Sequence, residues 1–144
     1  MTTNDQAHHI YQKWDEYARS GELDRLLALY APDGIFESPL VPALMKRESG
    51  ACRGHHEMRA FFEIGVRRRP NELVRWYRNG RYHFDGKTLI WEYPRETPEQ
   101  EQIDLLEVME LENGLIQRHK VYWGFKGVNE LLRSQQTTIS HNHT

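Results

Sequence analysis

The stretch QIDLLEVMELE-NG-LIQRHKVYWGF, residues 102–125, decides the fold because it reads as two long strands joined by a tight turn. Asn and Gly tolerate the positive φ that short hairpin turns require, so Asn113-Gly114 is a strong hairpin signal. Two more strands are predicted before it, over residues 73–84 and 87–96. Four consecutive strands form a curved meander that must pack against another layer. The turns are predicted at Asp85-Gly86, residues 97–100 and Asn113-Gly114.

The first half of the chain supplies that second layer. Apolar residues at helical spacing predict three N-terminal helices, each ended by a glycine or by a segment containing proline. They cover residues 7–21, residues 22–30 up to a break at 31–34, and residues 54–69. A short strand at 35–38 and a loop at 39–53 lie between the second and third helices.

The C-terminal part completes a single domain. A short helix is predicted over residues 127–135, and we expect one domain over residues 1–136 with a flexible tail over residues 137–144. The length of 144 residues and mass of 17.2 kDa suit one domain with its own core.

Composition excludes several classes of protein. The net charge is -2 and the pI about 6.4, so nucleic acid is not an expected partner. The chain has no apolar run of about 18 residues, the minimum for a membrane span. Cys52 is the single cysteine, which excludes an intramolecular disulfide, and the N-terminus lacks a secretion pattern. These features predict a cytoplasmic protein that does not bind membranes.

Four stretches together resemble one family. They are SGELD at 20–24, LYAPDGIFESP at 29–39, RGHHEMRAFF at 53–62 and ENGLIQRHKVYW at 112–123. In this order they resemble the SnoaL-like branch of the nuclear transport factor 2-like superfamily, relatives of ketosteroid isomerases and polyketide cyclases. The resemblance implies an α+β fold: a cone-shaped, strongly curved, mostly antiparallel sheet packed on three N-terminal helices. A small-molecule cavity would lie between the two layers.

The resemblance also allows site residues to be compared. The catalytic Asp of ketosteroid isomerases falls on Ser38, and their two pocket tyrosines fall on Trp14 and Phe62. Of the site positions compared, only Glu107 keeps a carboxyl group. This loss of the other site residues argues against steroid isomerisation of that kind. Polyketide cyclases of the SnoaL branch place an acid and a histidine on the last two strands. Glu107 and His119 resemble that pair, except that the acid and the histidine have exchanged strands.

The hairpin register decides whether these two residues meet. A three-residue loop places Glu107 directly opposite His119, with Cβ atoms about 5 Å apart. A two-residue turn places Glu107 opposite Lys120 and His119 opposite Val108. A shift of one residue exchanges the faces, and the sequence leaves both registers open. The family alignment favours both side chains facing inward.

The predicted function is a cofactor-independent isomerase, cyclase or dehydratase that uses proton transfer on a small apolar or polyketide-like substrate. His119 would be the general base or acid and Glu107 its orienting partner. The alternative is a ligand-binding or interaction module of the same fold without chemistry. No nucleotide-binding glycine loop is present, and His55 and His56 lack a carboxylate at metal spacing, so we expect neither cofactor nor metal. The substrate-binding wall is expected to contain Trp14, Phe36, Ser38, Phe62, Trp91, Val121 and Trp123.

The outer face of the sheet suggests a partner. Leu106, Val108 and Tyr122 would lie there among charged residues. A face this apolar is expected to be covered, which predicts a homodimer formed through the sheet.

Overall fold

The computed structural model describes residues 1–67, 80–96 and 102–142, which form an α+β fold. The described strands make one six-stranded open sheet in the order β2-β1-β6-β5-β4-β3. The helices are α1 (Asn4–Ser20), α2 (Leu23–Leu27), α3 (Leu40–Met45), α4 (Gly54–Arg67) and α5 (Phe125–Asn142). The strands are β1 (Tyr30–Glu37), β2 (Ala51–Arg53), β3 (His83–Phe84), β4 (Thr88–Glu96), β5 (Gln102–Glu112) and β6 (Leu115–Trp123). Strand β1 runs parallel to β6, and every other pairing is antiparallel.

The predicted hairpin is confirmed. Strand β5 has the predicted bounds, and β6 ends at Trp123 because helix α5 begins at Phe125. Asn113 and Gly114 both have positive φ, 51° and 79°, as a two-residue hairpin turn requires. Strand β4 also matches its prediction to within one residue.

One extra residue on β6 shifts the register of the hairpin. Next to the turn Glu112 pairs with Leu115, but beyond Glu110 the register has moved by one residue. As a result Glu107 lies opposite Val121, and His119 lies opposite Met109. Neither predicted register is therefore correct along the strand, although the two-residue turn is correct at its tip. Such a shift is the defining feature of a β-bulge.

The predicted break at residues 31–34 is instead an irregularity within β1. Tyr30 pairs with Ile116 and Ile35 with Arg118, so five positions on β1 span two on β6. Pro32 has no N–H for a sheet hydrogen bond, and a Cβ on Gly34 would lie only 3.1 Å from the Ile116 carbonyl oxygen. The chain therefore bulges here and then returns to the sheet.

Four more predictions differ from the structure or lie at least partly outside the described residues. The predicted loop at 39–53 contains helix α3 and strand β2, so the described residues hold four helices before the meander rather than three. Helix α5 extends beyond its predicted end at residue 135 and continues through Asn142, since no proline or glycine interrupts residues 128–142. The flexibility of residues 137–144 stays a prediction. Of the predicted strand 73–84 the structure describes residues 80–84, and only His83–Phe84 of these form a strand. The predicted turn at 97–100 lies outside the described residues.

The helices and the inner sheet face enclose the core. Helix α1 starts with a capping box between Thr3 and Gln6 and ends at Gly21, whose φ is 74°. Its buried stripe includes Ile10 and Trp14, which belong to the same core cluster as Met109 of β5. Over the described residues, none of the helices has the length and apolar character needed to span a membrane.

Candidate active site

A cavity of about 250 Å³ lies between the inner face of the sheet and the helices. Its described wall is almost entirely apolar, with aromatic side chains from both layers. Polar atoms come from few residues, which is the usual form of a small-molecule site. The described lining residues are Trp14, Ala18, Leu23, Leu26, Phe36, Ser38, Leu40, Leu44, Phe61, Phe62, Gly65, Val66, Tyr93, Leu105, Glu107, Val121 and Trp123.

Glu107 is the one acidic residue in this described wall. Strand alternation places it on the inner face of β5 between Leu105 and Met109, and it is only 2% exposed. The Tyr93 hydroxyl donates to its Oε1 over 2.8 Å, and its Oε2 lies 2.5 Å from His119 Nε2. Both carboxylate oxygens are therefore held by side chains of the neighbouring strands.

His119 lies behind the wall rather than in it. Its side chain is 0% exposed, and it is absent from the cavity lining. Besides Glu107, its ring contacts the Tyr30 hydroxyl, which is 2.8 Å from Nδ1. The rings of Phe36 and Trp14 pack edge-on against it, with centroids 5.0 and 5.4 Å away. Both ring nitrogens are thus occupied within the protein.

Tyr30 extends this network to the first helix. The Trp14 indole Nε1–H donates to the Tyr30 hydroxyl oxygen over 2.9 Å. Burial raises the pKa of the Tyr30 hydroxyl well above its ordinary value, so the phenol keeps its proton. Tyr30 comes next to His119 because β1 runs parallel to β6, a long-range pairing that sequence periodicity does not reveal.

Two more donors belong to the cavity wall. Ser38 Oγ accepts a hydrogen bond from the Leu40 backbone N–H over 3.2 Å, so its own hydroxyl proton can be directed elsewhere. The Trp123 Nε1–H is buried and has no hydrogen-bond partner among the described residues. A wall with one carboxylate and such donors can both accept a proton and stabilise an oxygen that gains negative charge.

Most of the residues predicted for the cavity line it, and two do not. Trp91 belongs to the core, 2% exposed, with its ring edge-on to Tyr11 at 5.2 Å. His119, predicted as a catalytic residue, is absent from the cavity lining, and Glu107 and Tyr30 contact its two ring nitrogens. Sequence reasoning missed Tyr30 and Tyr93, whose hydroxyls complete the network. The predicted residues that do line the cavity are Trp14, Phe36, Ser38, Phe62, Glu107, Val121 and Trp123.

The histidines at the start of α4 contribute no metal site in the described structure. His55 Nε2 is 3.0 Å from the Tyr30 carbonyl oxygen, so its ring ties α4 to β1. Over residues 1–67, 80–96 and 102–142, no three His, Cys, Asp or Glu side chains are arranged to hold an ion.

Comparisons with known proteins agree with this architecture. A family model described as a SnoaL-like domain matches residues 11–119. A search of curated proteins found no significant match. Among solved structures, an NTF2-like protein of unknown function from Burkholderia pseudomallei K96243 is 18% identical, with a TM-score of 0.71 over 92% of this chain and 97% of that one.

Two other structural neighbours have more informative descriptions. The protein TerC, co-crystallised with polyporic acid, is 14% identical, with a TM-score of 0.69 over 89% of this chain and 98% of that one. A proposed ketosteroid isomerase from Kribbella flavida DSM 17836 is 17% identical, with a TM-score of 0.62 over 83% and 78% of the two chains. At these identities the likeness shows the shared fold.

Proposed function

Because the chain belongs to the SnoaL-like domain family, we propose that it is an isomerase- or cyclase-type enzyme that moves a proton within a small apolar or polyketide-like substrate. Dehydration belongs to the same class of proton-transfer chemistry. The shared fold alone does not select a reaction, since one fold hosts many functions. The proposal therefore rests on the side chains in the cavity.

The observation that carries the proposal is the Glu107 carboxylate in the wall of an otherwise apolar cavity. In the proposed step it removes a proton from a carbon beside a substrate carbonyl. The C–H bond breaks, an O–H bond forms on Glu107, and the electron pair moves to the carbonyl oxygen. The hydroxyl of Ser38 supplies a hydrogen bond for that oxygen. Returning the proton to another carbon completes an isomerisation without a cofactor.

This assignment reverses the roles expected for Glu107 and His119. His119 was expected to be the general base or acid, with Glu107 as its orienting partner. Glu107 lines the cavity, whereas His119 is buried behind it with both nitrogens hydrogen-bonded. A base must come within hydrogen-bond reach of the proton that it removes. We therefore propose Glu107 as the catalytic residue and His119 as the positioning residue that holds it.

The shape and chemistry of the cavity support the proposed substrate class. Rings of Trp14, Phe62 and Trp123 lie in a wall with few polar groups. Flat aromatic or polyketide-like molecules bury well against such surfaces. Two structural neighbours, TerC co-crystallised with polyporic acid and the proposed ketosteroid isomerase, also favour a small-molecule ligand.

A non-catalytic binding module is the second candidate, and one observation favours it. The hydrogen bonds from Trp14 through Tyr30 and His119 to Glu107 satisfy one another within the protein. Buried networks of this kind also occur as purely structural features. Ligand binding without turnover would then be the function of the cavity.

Hydrogen exchange distinguishes these candidates. A panel of small aryl ketones and 1,3-dicarbonyl compounds is incubated with the protein in D₂O, and deuterium uptake at carbon is followed by mass spectrometry. We expect exchange above the buffer rate, reduced about 10²–10⁴-fold in Glu107→Gln, the usual contribution of one general base. Glu92→Gln, an exposed carboxylate on the other face of β4, is the matched control. Binding without exchange, or equal exchange in Glu107→Gln, would contradict the proposed chemistry.

We also propose a homodimer formed through the outer sheet face, located in the cytoplasm. Tyr122 is 50% exposed on that face, and its cross-strand partner Leu106 is only half-buried. Apolar area of this kind is stabilised when a second subunit covers it. A single buried cysteine, Cys52, suits a reducing compartment.

A further inference from the structure

We infer that Tyr30, with Trp14 behind it, is a positioning residue because it fixes which nitrogen of His119 carries the proton. The consequence for catalysis rests on the function proposed above. The proton assignment itself rests on the hydrogen-bond geometry of four buried side chains and on the raised pKa of Tyr30.

The direction of the network is set at Trp14. An indole has one N–H and no acceptor, so Trp14 must donate to the Tyr30 oxygen, 2.9 Å away. Tyr30 keeps its own proton, since burial raises the pKa of the phenol. That O–H has His119 Nδ1 as its partner at 2.8 Å, so Nδ1 must be the acceptor.

The rest of the network follows from the chemistry of a neutral imidazole. With Nδ1 as an acceptor, the single ring proton is on Nε2, which donates to Glu107 Oε2 at 2.5 Å. The opposite assignment, with the proton on Nδ1, would leave the Tyr30 O–H without an acceptor in a buried site. An unsatisfied buried donor of this kind is rare in native proteins.

The result is a fixed arrangement of donors around one carboxylate. Glu107 accepts from His119 on one oxygen and from Tyr93 on the other, and it lines the cavity. Tyr30 contributes without lining the cavity, since it acts on the far side of His119. Loss of its hydroxyl should therefore alter the orientation of the base without altering substrate contacts.

Nitrogen NMR of the histidines tests the proton assignment directly. The protein is labelled with ¹⁵N-histidine, and two-bond ¹H–¹⁵N spectra are recorded at neutral pH. His119→Gln identifies the His119 signals among the eight histidines. We expect an unprotonated Nδ1 and a protonated Nε2. A proton on Nδ1, or an imidazolium with both nitrogens protonated, would overturn the inference whether or not the protein is an enzyme.

Tyr30→Phe tests the positioning role. The Nδ1 signal should shift because its hydrogen bond is lost. The value of kcat should fall about tenfold, which is less than the 10²–10⁴-fold rate contribution of a whole general base. KM should stay unchanged, because Tyr30 does not line the cavity. The matched control is Tyr82→Phe, whose hydroxyl lies 3.1 Å from Nδ1 of the exposed His8 and which should keep full activity. Unchanged kcat in Tyr30→Phe of an active enzyme would overturn the positioning role.

Discussion

His119 Nε2 lies 2.5 Å from Glu107 Oε2, although the two residues are diagonal rather than direct neighbours across the β5–β6 hairpin. The direct partner of Glu107 is Val121, and that of His119 is Met109. Diagonal residues on one face are within reach of long side chains. The pair therefore depends on the bulge that moves the register by one residue, and on two side chains long enough to cover the diagonal.

The first prediction concerns the stability of this pair. His119→Ala leaves Glu107 Oε2 and the Tyr30 hydroxyl without their partner in a site that is 0% exposed. The free energy of unfolding should fall by about 1–3 kcal/mol for each buried polar group left unsatisfied, and the cavity adds to this loss. Urea denaturation followed by tryptophan fluorescence measures the change.

His9→Ala provides the comparison, because His9 is exposed on the same protein's first helix. Its effect should be within about 0.5 kcal/mol, as for most surface substitutions. If His119→Ala were no more destabilising than His9→Ala, the buried network would have no structural role.

The strands of the hairpin could be predicted from the sequence, but their register could not. Alternating apolar residues and Asn113-Gly114 locate β5, β6 and the turn. The register depends on Gln117, the extra residue of β6, between the positions that pair with Glu110 and Leu111. Its side chain donates to Asp33 of the neighbouring β1 bulge over 3.2 Å. The two adjacent irregularities thus support each other. The residues in contact are 84 positions apart in the sequence, so local sequence patterns do not reveal the contact.

The site was predictable only where a residue has its own chemical signal. Glu107 and His119 stand out because ionisable side chains interrupt an apolar strand face. Tyr30 and Tyr93 give no such signal, since tyrosines are common in strands and in cores. Trp91 is predicted in the cavity wall because an indole ring can stack on a flat ligand, but its ring packs in the core against Tyr11.

The second prediction concerns Cys52, which is 0% exposed. Burial raises the pKa of its thiol, and the nearby Arg47 opposes this effect only in part. Because a raised pKa reduces the fraction of the reactive thiolate, the native protein should not react with Ellman's reagent at pH 7. One thiol per chain should react once the protein is unfolded in urea. Rapid modification of the native protein would show that the cysteine is accessible.

The third prediction concerns the proposed dimer. Light scattering at micromolar concentration should give about twice the chain mass of 17.2 kDa. Tyr122→Glu should shift the particle toward a monomer, because it places a charge on the outer sheet face opposite Leu106. Phe125→Glu is the control, since Phe125 is 82% exposed at the start of α5 rather than on the sheet. Dissociation by Phe125→Glu alone would move the interface to that helix, and a monomeric wild type would exclude the dimer.

The last prediction concerns the charge of the ligand. Among the described lining residues Glu107 is the only charged side chain, and none is Lys, Arg or His. In the proton assignment above His119 is a neutral donor to Glu107, and the Tyr93 hydroxyl donates to the other oxygen, so neither hydrogen-bond partner is a cation that could offset a negative charge. An anionic ligand would bring a second negative charge into an apolar cavity, and such like-charge contacts are strongly disfavoured.

The test uses two probes that share one ring system, naphthalene-1-methanol and 1-naphthoate, with binding measured by calorimetry at neutral pH. The alcohol should bind at least about tenfold more tightly, which corresponds to roughly 1.4 kcal/mol of repulsion for the anion. Glu107→Gln removes the charge but keeps the shape, so this difference should shrink, whereas Glu92→Gln should leave it unchanged. Equal or tighter binding of 1-naphthoate to the wild type would contradict this prediction. A ligand anion beside the Glu107 carboxylate needs a cation to offset the two charges, so such a result would mean that the cavity does not present an unpaired carboxylate.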